Sequence, residues 1–598
     1  DNKREALKIE ENSSANLNYV QIENNSIDEI TNDGDTWRDD TIRVQESSVL
    51  ELSHSSIVDN NDTVLDISGQ SHADLYDLKF ENNEGYHAIQ IDSSDLYLQG
   101  ANSDDDNAVY KSPLVISGHK SAISASNGSR VALQRVEISN NTHRGIQISE
   151  NSILNVWSGG LTLSKNGLEN DGWDGFGPAL EINHNSSASV NLLTVSGNGR
   201  GIWVSGGSTF NGGWKDENDT SLPTYMIVIK DNKKWGLEVQ DNSNLDVDNI
   251  EISGNGTQAY VNDDGSNYYE EAVQIRDSST GDMSDGKINS NRGKALDVRN
   301  NSKFSLREMD ISSNGTGSGV ETYDAIQISN HSHIDLNTVT VKLNGRTGLS
   351  VWGNSIAHIN SVIMENNGSS GVWSNAADIS ENSNISLNSS TLSSAYGNGL
   401  NVNNNSKAYI THSTIQTTYS DRWGGNAVDI SEQSEVSFNR DDKLNTNTIT
   451  LSATSFPLKA REGSEVNVNV PLSLTSSSNW DPVWLEGSSK LFLNYLGSSQ
   501  SLTLSGVRAK LDSMIGVNGE FVGVLSQVDL HGGTTMEIWK DCEPDNTCTA
   551  TQTSIGTLNC HNTTASNGQA VYRWPVVFLH GNDNSTVTNI DSDCLVVP

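Results

Sequence analysis

The chain has 598 residues, 34% of them apolar, and a formal charge of −39 at pH 7. That charge excludes an unaided nucleic-acid binder, because phosphates demand Lys and Arg, and it disfavours acidic polysaccharides unless a divalent cation bridges. There is no run of 18 apolar residues, so no membrane span is predicted.

From its first residues the chain reads as a repeat. Ala6-Leu7-Lys8-Ile9-Glu10-Glu11-Asn12-Ser13 matches Ala295-Leu296-Asp297-Val298-Arg299-Asn300-Asn301-Ser302 position for position in residue type. An opening Ser-x-apolar-x-apolar recurs at Ser13, Ser48, Ser71, Ser94, Ser129, Ser152, Ser186, Ser208, Ser243, Ser302, Ser332, Ser355, Ser383, Ser406, Ser434, Ser464 and Ser489, and weakens at Ser208 and Ser279. The shortest spacing is 22 to 23 residues. A second marker is an apolar residue followed three positions later by Asn. It occurs at Ile22/Asn25, Val58/Asn61, Phe80/Asn83, Ile138/Asn141, Leu163/Asn166, Val195/Asn198, Ile252/Asn255, Ile288/Asn291, Ile311/Asn314, Val341/Asn344 and Met364/Asn367. Asn tolerates left-handed backbone and bonds locally in turns, and stacked asparagines would bond from one coil to the next.

The unit Ser279–Ser302 shows the design. Met283, Ile288, Leu296 and Val298 are apolar in a polar background, and Leu296 and Val298 are two apart. Period two predicts strands. Three short strands with one inward face cannot bury that face alone, so the unit must stack on copies of itself. The expected fold class is all-β: a solenoid of three-strand coils over residues 1–504, about eighteen coils and on the order of 90 Å long, followed by a β-rich cap or docking module over 505–598. Because the chain starts inside a coil, an open strand edge is expected there. Its expected partner is a second copy, stacked head to tail through coil ends. A short charged segment folded over the end is the alternative.

Phe80-Glu81-Asn82-Asn83, with Gly-apolar strands such as Gly201-Ile202 and Gly348-Leu349, carries a resemblance over roughly residues 6 to 500. The pattern resembles the right-handed parallel β-helix of the pectin-lyase-like superfamily, closest in repeat style to bacterial surface and autotransporter-passenger adhesins. The resemblance implies a fold rather than an active site, since its motifs are the turns of the solenoid. Lyases of this fold need an acidic calcium site with an Arg or Lys base. Hydrolases need paired aspartates with Gly-His-Gly and Arg-Ile-Lys strings. Neither string occurs, and Gly118-His119-Lys120 is the nearest approach. Acid pairs exist at Asp39/Asp40, Asp263/Asp264, Glu270/Glu271 and Asp441/Asp442, but adjacent acids on a strand face opposite ways. No catalytic residue is assigned, and the reading leans away from an enzyme.

In most long coils the extra residues follow the Asn turn and precede the third strand. Loops leaving one corner of stacked coils share one side, and here they carry Trp37, Trp173, Phe176, Tyr268, Tyr269, Tyr323, Trp373 and Trp423 beside carboxylates. Flat rings beside hydrogen-bonding acids suit sugars, so this wall is expected to bind a glycan or a cell-surface partner. The alternative is that each ring folds back as a lid on its own loop. Trp203 differs: alternation points Ile202 and Val204 inward and Trp203 out. Asp104, Asp105, Asp106, Asp263 and Asp264 are the metal candidates, and calcium is the cofactor such loop oxygens would suit. They lack an EF-hand spacing, and a solvated charge run is the alternative.

The four cysteines, Cys542, Cys548, Cys560 and Cys594, fall in the last tenth of the chain and match no zinc signature. They read as two disulfides with three pairings open, which places the protein in a secreted, cell-surface or extracellular setting. The leading role is an adhesin or extracellular-matrix component. A self-assembling extracellular fibre subunit is the second reading, and a polysaccharide lyase or glycoside hydrolase the third.

Overall fold

The computed structural model describes residues 5–597 apart from 26–29, 33–34, 38–39, 61, 82, 84, 102–112, 158, 170–175, 216–221, 262–266, 317–322, 369–371, 420–424, 441–448, 478–480, 495–501, 505, 511–512, 518–522, 532–533, 540–552, 562–575, 581–585 and 591–593. It divides into two compact units, residues 1–310 with 317–321 and residues 311–316 with 322–598. In both, the described elements are strands, and nearly all of them pair in parallel.

One coil of the first unit shows why this sequence winds as it does. Ile42–Val44 forms a strand of the first sheet, Val49–Ser53 of the second and Ser56–Val58 of the third. Ile42, Val44, Leu50, Leu52 and Ile57 are buried inside the coil, and the residues between them face out. Between the first two strands the chain turns through two residues with positive φ, Glu46 at 58° and Ser47 at 60°. Asn, Asp and Gly adopt this conformation at least cost, which is why they crowd before the repeat serine, as at Asp241-Asn242, Asn300-Asn301 and Asn404-Asn405. A single positive-φ residue, His54, makes the second corner.

The serines and asparagines are ladders. The backbone N–H of Ser48 donates to the Ser71 hydroxyl of the next coil at 3.2 Å, and the same bond repeats from Ser71 to Ser94 and from Ser383 to Ser406. At the third corner, Asn166 donates its backbone N–H and its side-chain amide to Asn198 Oδ1, and Asn198 does the same to Asn232 Oδ1. Two details differ from the sequence reading. In the second coil Asn60, not Asn61, stands in the ladder, because Ile57 is the register partner of Phe80. The positive φ belongs to the residue before the ladder Asn, as at Asn24, Asp59 and Asn140. Asn232, three residues after Ile229, is a further rung, its backbone N–H donating to Asn255 Oδ1.

In the unit starting at Ser279, Met283 and Ile288 are fully buried and lie on one continuous strand, Thr280–Asn289. The weak serine motif there has a packing cause: a Cβ on Gly281 would come within 2.6 Å of the Phe304 ring. The missing side chain is the space that ring fills.

In the second unit the coils continue past residue 504. Val483–Leu485 pairs in parallel with Val507–Ala509, and Lys490–Leu493 with Met514–Val517. The residues expected to form a β-rich cap or docking module thus add parallel strands to those before them. Cys560, on the strand Thr553–His561, is joined to Cys594; Cys542 and Cys548 lie outside the described residues.

Candidate functional site

On each strand of the first sheet the middle residue of an apolar-x-apolar triplet points out of the coil. Direct register stacks these residues in one column of the first unit: Gln147, Glu181, Trp203, Glu238, Gln274 and Asp297. Outward residues of a sheet normally meet water, yet Glu181, Glu238, Gln274 and Asp297 are buried. The hairpin pairing Tyr260–Val261 with Asn267–Tyr268 lies beside this column, its Tyr268 hydroxyl bonded to Glu271.

Burial of charge requires partners, and each carboxylate has one. Arg144 Nε lies 2.7 Å from Glu181. Arg276 sets Nε 2.9 Å and Nη2 2.8 Å from Glu238 Oε1. Lys294 stands between Glu271 at 3.3 Å and Asp297 at 3.5 Å, with Arg299 3.7 Å from Asp297. The Tyr268 hydroxyl donates to Glu271, and the Trp235 backbone N–H donates to Glu270 at 3.1 Å. Burial pushes the carboxyls of Glu238, Glu270 and Asp297 above the usual range, against the pull of Arg276, Lys234 and Lys294 respectively. Burial also lowers the Lys234 ammonium to about 8, opposed by Glu270. This is a packed charge network that pins loop to sheet.

A second surface is open. Along the outer side of the second sheet and its corner, the first unit presents Tyr19, Tyr76, Tyr97 and Trp157, with Tyr19 65% and Trp157 53% exposed. Tyr19 stacks on His54 at 5.1 Å between ring centroids, and Tyr76 meets His54 edge-on. Tyr97 is held by its hydroxyl, which lies 2.8 Å from Gln99 Oε1 and 3.2 Å from Gln134 Oε1. Its register partner in the next coil is Ala132, whose small side chain leaves the Tyr97 ring room to reach Trp157, 5.9 Å away. Asn16, Glu51, Asp74 and Gln99 line a groove of about 390 Å³ beside Tyr76 and Tyr97. Rings and polar groups alternate over five coil steps, roughly 24 Å at the inter-strand spacing.

Residues 2–213 match the family model described as right handed beta helix region. With the parallel register of its strands, the chain fits a pectin-lyase-like parallel β-helix. No curated protein matches it.

Within this β-helix the sequence-predicted loop residues fall in different places. Phe176 and Tyr323 are buried, Tyr268 is tied to Glu271, and Tyr269 is half-buried. Trp373 is 48% exposed and meets the Tyr419 ring edge-on at 5.3 Å. Trp37 ends the short strand Asp35–Trp37, and its side chain lies outside the described set. Trp173, Trp423, Asp104, Asp105, Asp106, Asp263 and Asp264 also lie outside the described residues. Trp203 does face outward between Glu181 and Glu238. His119, centre of the nearest approach to a hydrolase string, occupies an asparagine rung: its backbone N–H donates to Asn141 Oδ1. The sequence reading missed both the charged column and the second-sheet aromatics. The column's signal was there in triplets such as Leu237-Glu238-Val239 and Leu296-Asp297-Val298, where one charge sits between two core residues.

Proposed function

We propose that this β-helix protein is exported and binds a neutral glycan without cleaving it, as an adhesin or extracellular-matrix component. The observation that carries the reading is the row of exposed Tyr19 and Trp157 with half-buried Tyr76 and Tyr97 between them, set among Asn16, Glu51, Asp74, Gln99 and Gln134. Aromatic faces take the apolar face of a sugar ring, while amides and carboxylates take its hydroxyls. Glu51, Asp74 and the overall charge of −39 repel uronates and sulfates, which leaves neutral sugars as the class. The first-sheet carboxylates are buried and ion-paired, so the second sheet is the surface offered to a long ligand. The Cys560–Cys594 disulfide suits an oxidising compartment.

Tryptophan fluorescence titrated with a panel of neutral oligosaccharides tests the proposal. A saturable change lost in Trp157→Ala is the expected result, with Tyr97→Ala weakening binding about tenfold, or 1.4 kcal/mol. A binding curve unchanged in both variants would overturn it.

A further inference from the structure

We propose that His333, Asp335 and His358 form a binding site for a zinc-class divalent transition metal on the outer side of the second sheet. The site follows from strand geometry. In His333–Asn337, Ile334 and Leu336 enter the core, so His333 and Asp335 share the outward face. Parallel register sets Asp335 directly beside His358 of the strand Ile356–Asn360 one coil on. Asp335 Oδ1 lies 2.9 Å from His333 Nε2 and 3.1 Å from His358 Nδ1, and the two imidazoles meet edge-on with centroids 4.7 Å apart. All three ligand atoms fall within 4.8 Å of one another.

A tetrahedral zinc ion with bonds of about 2.0–2.1 Å holds its ligand atoms roughly 3.3–3.5 Å apart. The two Asp–His edges already approach that length. The His–His edge closes by side-chain rotation, and His358, 56% exposed, has the freedom for it. Two imidazoles with one carboxylate select zinc, copper or nickel over calcium, which takes oxygen ligands. Among the described residues the other imidazole–carboxylate pairs are single, as His54 with Asp77 at 2.8 Å and His72 with Asp74 at 2.9 Å. Among the described residues this is the one place where three such ligands converge. Both strands are held by core side chains and by the Ser332-to-Ser355 rung, so the ligands sit on a rigid scaffold. A bound ion would clamp two consecutive coils and leave at least one coordination position open to water or an external ligand.

The test is calorimetric titration of zinc chloride into the chelator-treated full chain. One tight equivalent is expected, with affinity falling more than tenfold in His358→Ala and in Asp335→Asn. His72→Ala, which removes a single-imidazole pair, should leave the isotherm unchanged. Cobalt substitution gives a second readout: a tetrahedral visible spectrum that His358→Ala abolishes. The same zinc isotherm in His358→Ala and the parent chain, or displacement of zinc by equimolar calcium, would overturn the proposal.

Discussion

Asn198→Ala is the sharpest perturbation of the ladder that sets the coil register. The Asn198 side chain makes four hydrogen bonds. Its Oδ1 accepts from the Asn166 backbone N–H at 2.8 Å and from Asn166 Nδ2 at 3.1 Å, and its Nδ2 donates to the Leu163 carbonyl at 3.0 Å and to Asn232 Oδ1 at 3.1 Å. The residue is fully buried, so no water takes over these partners. At a net 0.5–1.5 kcal/mol per bond, with the Asn166 N–H left unsatisfied, the cost is about 4 kcal/mol. A stacked array need not unfold as one unit, so the loss should appear locally. Hydrogen exchange should accelerate in peptides covering residues 160–235, where Asn198 meets its neighbouring coils. The exposed Asn16, whose amide reaches Glu51, is the comparison, and Asn16→Ala should cost under about 1 kcal/mol. Exchange in Asn198→Ala no faster than in Asn16→Ala would refute the ladder as a source of stability.

Other outcomes follow from the same geometry. Arg276→Ala strands the buried Glu238 carboxylate and should destabilise the first unit by about 3–5 kcal/mol, seen as a lower melting temperature. Burial raises Asp66 to about 6, above its unfolded value near 3.9, so folding takes up a proton between them and stability falls as pH rises through that window. Asp66→Asn should therefore gain about 2 kcal/mol on the parent between pH 4 and pH 7, measured by urea titration at both. His119 is buried with both ring nitrogens unpartnered among the described residues, and burial lowers it to about 4. Its folded value lies below the unfolded one, so its neutral form loses stability as pH falls from about 6.5 toward 4. His119→Asn should remove that dependence and add a rung between Asn83 and Asn141, raising the melting temperature at pH 5 more than at pH 8.

What was legible in the sequence is what repeats. Ser48, Ser71 and Ser94, or Asn166 and Asn198, recur because every coil needs the same bond at the same corner, and periodic chemistry survives in a one-dimensional string. The Val58/Asn61 pairing slipped by one because Asn60 and Asn61 are neighbours, and only the register of Ile57 against Phe80 separates them. Whether a loop ring folds inward or stays open depends on contacts distant in sequence. Tyr268 turns inward to reach Glu271, and Phe176 packs under Lys233 at 4.4 Å from its ring centre. The second-sheet aromatics escaped notice for a related reason. Tyr76, Tyr97 and Trp157 lie on different coils, so they look isolated along the chain and become neighbours only when coils stack. His333 and His358 are hidden in the same way, one coil apart.

Retention of the protein on immobilised neutral polysaccharide, with the length of the eluted polymer measured afterwards, tests the central claim most directly. The account predicts that the parent chain is retained, that a Tyr97→Ala/Trp157→Ala double variant passes through with its fold intact, and that the polymer keeps its length. Retention of the double variant, or a shortened polymer, would contradict it.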